Sequence, residues 1–174
     1  MTACQPLASL VHGVVVLLAL SASALAQTVP PAAREISLAG PRIGFTVLSD
    51  ETIARLAERD IKLRPLISQF GWQFERNIYG VGSNLTAVTE WVVLLGGLEQ
   101  GVALPSLSWM VGFRSANGAE FGVGPNISPS GTALAMAGGA TFRAGAFNFP
   151  VNFAVVPSAA GLRVSVLTGF NVRR

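Results

Sequence analysis

Bulky apolar residues alternate with small or polar residues at every second position along most of the chain after residue 40. Successive side chains of a β-strand point to opposite faces, so this alternation predicts strands with one apolar face and one polar face. Turn-forming sequences such as Ala116-Asn117-Gly118 and Ser128-Pro129-Ser130-Gly131 separate the segments and indicate short hairpins. The alternation predicts about eight antiparallel strands, near residues 42–48, 66–79, 85–96, 104–115, 119–128, 132–143, 147–156 and 162–172.

One segment, residues 50–61, has helical rather than alternating spacing. Asp50 is suited to cap it, and Ile53, Leu56, Ala57 and Ile61 fall on one face. The sequence therefore predicts a short helix between the first two strands. A packed crossover is its simplest role; plugging a barrel or docking on a partner are the alternatives.

Residues 1–26 have the features of a secretory signal peptide. The apolar run from Val14 to Leu20 is followed by serines and by small residues at Ala24 and Ala26, where cleavage is expected. The run is too short to cross a bilayer as a helix. We therefore predict export, with residues 27–40 as an extended lead-in and residues 41–174 as a single β-barrel domain.

Cleavage would remove Cys4 and His12, the only cysteine and the only histidine. Without them the chain lacks the residues for disulfides, for cysteine nucleophiles, for Ser–His relays and for His-ligated zinc or haem. We therefore predict no cofactor, no metal and no enzymatic activity. The net charge of +3 is modest and scattered, which argues against a nucleic-acid partner.

The orientation of the two faces decides between a membrane barrel and a soluble one. An eight-stranded barrel has an interior only just wide enough for side chains, so roughly thirty large apolar groups would overfill it. Strands that face water usually carry many lysines, yet Lys62, beside the predicted helix, is the only lysine. The opposite orientation, with bulky residues toward lipid and small or polar residues in the lumen, is typical of an outer-membrane barrel.

The polar face carries isolated charges of both signs. Glu90 is assigned to it although Val88, Val92 and Leu94 share its parity. We predict that these charges pair inside the lumen as one network, made of Arg42, Glu75, Glu90, Arg114, Glu120, Arg143 and Arg163.

Catalytic interpretations of the same residues are weaker. Glu75, Glu90 and Glu120 could supply the carboxylate pair of a glycosidase, but arginines on the same face favour salt bridges. Serines 106, 108 and 165 have no histidine partner. Residues 122–126 are glycine-rich without the spacing of a dinucleotide loop.

Five blocks of the sequence stand out together: residues 40–45, 68–75, 96–101, 120–126 and 149–152. With these blocks the chain resembles a family of small exported bacterial proteins that is usually described only as outer-membrane or secreted. The resemblance covers about residues 40 to 171 and implies a barrel, but it brings no activity, substrate or site residues.

The sequence thus predicts a small outer-membrane β-barrel with a non-enzymatic structural, adhesion or small-ligand-binding role. Outer-membrane lipid is the predicted partner; protein partners and oligomeric state stay open. The alternative is a soluble periplasmic or secreted β-barrel that holds an apolar ligand.

Overall fold

The computed structural model describes residues 38–81 and 84–172. The predicted signal peptide, residues 1–26, and most of the predicted lead-in, residues 27–37, lie outside the described residues.

Within the described ranges the strands form one antiparallel sheet. One α-helix, α1 (Asp50–Ala57), follows the first strand, and a 3₁₀ helix (Leu98–Gln100) follows the third. The strands are β1 (Gly40–Leu48), β2 (Leu66–Val81), β3 (Leu85–Gly96), β4 (Leu104–Ser115), β5 (Ala119–Ser128), β6 (Gly131–Ala144), β7 (Phe147–Ser158), β8 (Gly161–Gly169) and β9 (Asn171–Val172).

The sheet closes on itself because β1 pairs with β2 on one side and with β8 on the other. Each remaining strand pairs with its neighbours along the chain, and β9 continues β8 on β7 in the same register. The predicted fold class, an all-β up-and-down barrel of about eight strands with one short helix after the first, is confirmed.

The strands are strongly staggered. Following the paired residues once around the barrel leads back to β1 displaced by about ten residues. A stagger of this size corresponds to a strand tilt of roughly 40° from the barrel axis. With only eight strands, the closed sheet has a narrow interior.

The two ends of the barrel differ. At the end that we call the turn end, short connections at residues 116–118 and 145–146 join the strands. At the opposite end, the helix end, the connections include α1, the 3₁₀ helix and two tight turns.

Helix α1 begins at the predicted residue, but its N-cap differs from the prediction and its end comes earlier. Ser49, not Asp50, is the N-cap: its backbone is extended, and its hydroxyl accepts a hydrogen bond from Thr52 N at 3.4 Å. Asp60 adopts φ +59°, and Ile61 N donates to Leu56 O in a Schellman arrangement that stops the helix at Ala57. The prediction of residues 50–61 therefore has the right first residue, but the predicted cap and the predicted end were wrong.

The helix covers the helix end of the barrel. Thr52 and Leu56 are buried, and Leu56 packs with Leu48, Ile67 and Leu104 in an apolar cluster. Arg59 Nη1 donates to the carbonyl of Pro129 in the β5–β6 turn at 2.7 Å. Of the predicted roles, this packing agrees with a packed crossover. The crossover also covers the helix end of the barrel.

No helix within residues 38–81 and 84–172 has the length and apolar character needed to cross a membrane.

The 3₁₀ helix is fixed to the start of β2 by side-chain contacts. The Glu99 carboxylate accepts hydrogen bonds from Ser68 N at 2.9 Å and from the Ser68 hydroxyl. The hydroxyl contact, more than any other, lowers the pKa of Glu99 to about 2, so this exposed carboxylate stays ionised at neutral pH.

Inward-facing glycines let neighbouring strands approach closely. A Cβ built on Gly71 would lie well inside van der Waals contact with the carbonyl oxygen of Val93 on β3. Gly44 and Gly124 face backbone carbonyls in the same way. At these positions a methyl group would push two hydrogen-bonded strands apart.

We expect Gly71→Ala to lower the free energy of unfolding by about 1–3 kcal/mol, because the new methyl group overlaps backbone that cannot rotate away. The matched control is Gly80→Ala in the same strand, where a Cβ meets nothing within 4 Å. It should change stability by less than about 0.5 kcal/mol. Urea unfolding measures both, and equal effects would contradict the close approach.

Candidate functional site

The inner face of the barrel holds three groups of side chains. A cluster of charged residues lies toward the turn end, a set of apolar residues lines the middle, and a polar group crosses the helix end.

Arg114 is the centre of the charged cluster. Its Nη1 and Nη2 contact the two carboxylate oxygens of Glu75 at 2.5 and 2.6 Å. Its Nε and Nη2 lie 2.9 and 2.7 Å from Glu120 Oε2, and Nη2 lies 3.4 Å from Glu90 Oε1. We call Arg114, Glu75, Glu90 and Glu120 the charge cluster; their side chains are at most 14% exposed.

Neighbouring groups complete the hydrogen bonding of the cluster. Asn152 Nδ2 donates to the other oxygen of Glu120 at 2.6 Å, and Leu38 N donates to Glu75 Oε1 at 3.2 Å. The described chain thus starts inside the barrel, with Leu38 fully buried.

Arg42 is buried beside this region but bonds to neutral acceptors. Its Nε donates to Gln73 Oε1 at 3.0 Å, and Nη2 donates to the carbonyl of Leu38 at 2.6 Å. Arg42 therefore holds residue 38 in the lumen. Together with the charge cluster, it closes the turn end.

Arg163 lies at the opposite end. Its Nη2 donates to Asn126 Oδ1 at 2.7 Å, and Nη1 donates to Ser128 Oγ at 2.8 Å. Asn126 in turn donates to the hydroxyls of Ser106 and Ser108, both at 2.8 Å. We call these five residues the crossbar, because they link β8 to β4 and β5 through the lumen.

Arg143 is the one exposed member of the predicted network. Its side chain is exposed at the turn end and donates to the carbonyl of Ala116 at 3.1 Å. The seven predicted residues thus occupy four places. The charge cluster holds four of them, whereas Arg42, Arg163 and Arg143 each lie elsewhere.

Much of the lumen is apolar, which was not predicted from the sequence. The middle of the barrel contains two clusters of buried apolar side chains, and Val88 is also buried in β3. The two clusters consist of Val92, Leu94, Leu167, Met110, Ala135 and Val156. The sequence of β3 contained an indication of this, because Val88, Val92 and Leu94 occupy the same alternate positions as the inward-facing Glu90.

These apolar residues surround a cavity of about 90 Å³ inside the barrel. Leu56 from α1 and the crossbar line it at the helix end, and Arg42 and Glu90 line it toward the turn end. Most of its wall is hydrocarbon, with polar groups at both ends.

The chemistry available to these groups is limited. All three carboxylates of the charge cluster contact Arg114, which leaves no separated acid and base pair. The Ser165 hydroxyl bonds to Thr46 at 2.6 Å, and Ser106 and Ser108 bond to Asn126. In the described part of the chain, no group of three or more His, Cys, Asp or Glu residues is arranged to hold a metal ion.

Comparison of the chain with protein-family models, with curated proteins and with solved structures finds no match. The resemblance to a family of exported proteins stays a prediction.

We expect Arg114→Met to lower the free energy of unfolding by about 3–5 kcal/mol, because it leaves three buried carboxylates without their cation. The control is Arg143→Met, which removes an exposed arginine and should cost less than about 0.5 kcal/mol. Thermal and urea unfolding measure both. A small effect at Arg114 would mean that the charge cluster does not stabilise the barrel.

Proposed function

We propose that the protein is a small β-barrel of a bacterial outer membrane with a non-enzymatic role, whether structural, in adhesion or in binding a small ligand. The observation that carries the proposal is the apolar belt. By this name we mean the large apolar side chains that point outward from the strands.

The belt is far larger than a soluble protein exposes. Thirty-one large apolar side chains are exposed in the described part of the chain, nearly all of them on outward strand positions. At roughly 100 Å² each they amount to on the order of 3,000 Å², whereas the largest patch on a typical soluble monomer is about 300–600 Å². Hydrocarbon is the solvent that suits such a surface.

The height of the belt also suits a membrane. Along β7 the outward positions run from Phe147 to Pro157, about ten residues. At about 3.3 Å per residue and a tilt of roughly 40°, this length spans about 25 Å, the height of the apolar band of outer-membrane barrels.

Three polar side chains on the outward face have hydrogen-bond partners. Trp109 Nε1 donates to Thr89 Oγ1 at 2.9 Å, and that hydroxyl donates to the carbonyl of Met110 at 3.3 Å. Thr168 Oγ1 donates to the carbonyl of Pro150 at 3.1 Å. Lipid offers no hydrogen-bond partners to a side chain. Because these outward polar side chains bond to other groups of the protein, their contacts favour the proposal.

Charge is nearly excluded from the belt. Of the described outward strand positions, Arg76 alone carries a charged side chain. It lies five residues before the end of β2, where a long side chain can carry its guanidinium to the lipid–water boundary.

The contents of the lumen disfavour a diffusion pore and an enzyme. An eight-stranded barrel encloses little space, and here the charge cluster and Arg42 close one end. The carboxylates are bound to Arg114, and the lumenal serines have only hydroxyl, amide, guanidinium or backbone partners among the described contacts. These contacts favour a binding or structural role.

In the proposed orientation, the turn end faces the periplasm and the helix end faces outward. Outer-membrane barrels have short periplasmic turns and longer external connections, which is the asymmetry described above. The alternative, a soluble periplasmic or secreted barrel with an apolar ligand, draws support from the cavity. Sedimentation with outer membranes supports the proposal, and a detergent-independent soluble monomer supports the alternative.

We expect Val151→Arg, in the middle of the belt, to lower the stability of the barrel in lipid vesicles by about 2–4 kcal/mol, because the charge must enter hydrocarbon. The matched control is Val172→Arg at the turn end, where the cost should be about 0–1 kcal/mol. Heat-modifiable mobility on a gel measures the folded fraction after refolding into vesicles. If both variants behaved like the wild type, lipid would not cover the belt.

A further inference from the structure

The cavity combines a hydrocarbon wall with a buried arginine at each end, Arg163 at the helix end and Arg42 toward the turn end. Arg42 lies beside the glutamates of the charge cluster, whereas Arg163 lies at the opposite end of the barrel. Val92, Leu94 and Leu167 contribute to its wall in the middle of the barrel, and Arg163 contributes at the helix end. A cavity needs only about 10–15 Å³ to hold a water molecule, so 90 Å³ leaves room for a short alkyl chain.

Arg163 lacks the compensation that Arg114 has. The Arg163 residue is 8% exposed, and none of the ion pairs of the described residues involves it. Two of its nitrogens donate to the neutral side chains of Asn126 and Ser128, while its buried Nε has no hydrogen-bond partner among the described residues. A buried charge without a counter-charge is costly, so a bound anion would stabilise it.

The crossbar offers further donors. Ser106 and Ser108 accept hydrogen bonds from Asn126 Nδ2, and neither hydroxyl donates within the described part of the chain. A hydroxyl that accepts one bond still has a proton to donate. Arg163 and these two serines therefore provide donors, and no acid, at one edge of an apolar cavity.

We propose that the cavity binds a small amphipathic carboxylate, with the carboxylate on the crossbar at Arg163 and a short alkyl tail among Val92, Leu94, Leu167 and Met110. This inference rests on the proposed function, since it names the chemical class of the small ligand that the envelope barrel would bind. An alkyl tail distinguishes this ligand from an inorganic anion, because the tail can pack against the apolar wall of the cavity.

The test is a titration of the full folded chain with hexanoate, in micelles or in plain buffer, whichever keeps it folded. We expect saturable binding by calorimetry and a rise in the unfolding temperature of roughly 5–10 °C at a hundredfold excess over Kd. Hexanol, with the same tail but no charge, and inorganic phosphate should each bind at least about tenfold more weakly.

The variant test compares two arginines. Arg163→Gln should weaken hexanoate binding by about tenfold or more, whereas Arg143→Gln, at the exposed turn end, should leave it unchanged. If Arg163→Gln does not fold, methyl NMR of the wild type decides: hexanoate should shift the resonances of Met110, Leu94 and Leu167, and hexanol should not shift them at the same concentration.

The inference is overturned by equal binding of hexanoate and hexanol, by phosphate binding as tightly as hexanoate, by unchanged binding in Arg163→Gln, or by no saturable binding. Insertion into vesicles is measured separately on the same preparation. Hexanoate binding without insertion would contradict the membrane proposal alone, and insertion without binding would contradict the ligand site alone.

Discussion

Pairing of β1 with β8 is the interaction on which the rest of the barrel depends. It removes both edges of the sheet, so the ladder continues around the whole barrel instead of ending at unpaired backbone groups. It also assigns alternate residues of every strand to an inside and an outside. Gly44, in the middle of β1, allows this contact because a side chain there would collide with the carbonyl of Val166 on β8.

Closure then forces a division of chemistry between the faces. The lumen is too narrow for the bulky residues of all eight strands, and these lie outside. Inside, charges are tolerated only with partners, which Arg114 supplies to three glutamates near the turn end. Arg42 and Arg163 form no ion pair among the described residues, but Arg42 lies beside the glutamates, whereas Arg163 lies at the opposite end. Both proposals follow from this division. The outward face favours lipid as its solvent, and the inner face offers a cation beside an apolar cavity.

The strands could be predicted from the sequence because alternation is a local property of neighbouring residues. The helix cap could not, because Ser49 and Asp50 are both suitable caps and the choice depends on Leu162, whose backbone bonds to Ser49 from across the chain. The alternation along a strand predicts which face of the sheet a residue occupies, but not its position along the barrel axis. Arg114 and Arg143 share a face, yet the stagger of the strands puts one in the lumen and the other at the exposed turn end. For the same reason Arg163 lies far along the barrel from the glutamates.

The central claim is that hydrocarbon covers the outer face, and the three tryptophans test it directly. Trp72, Trp91 and Trp109 all point outward near the middle of their strands and are 44–47% exposed. We would reconstitute the protein in vesicles of lipids brominated in their acyl chains and record tryptophan fluorescence. If hydrocarbon covers the belt, the emission is blue-shifted, and brominated lipid quenches it strongly relative to unbrominated vesicles. Red-shifted emission that is insensitive to brominated lipid but quenched by an aqueous quencher would contradict it.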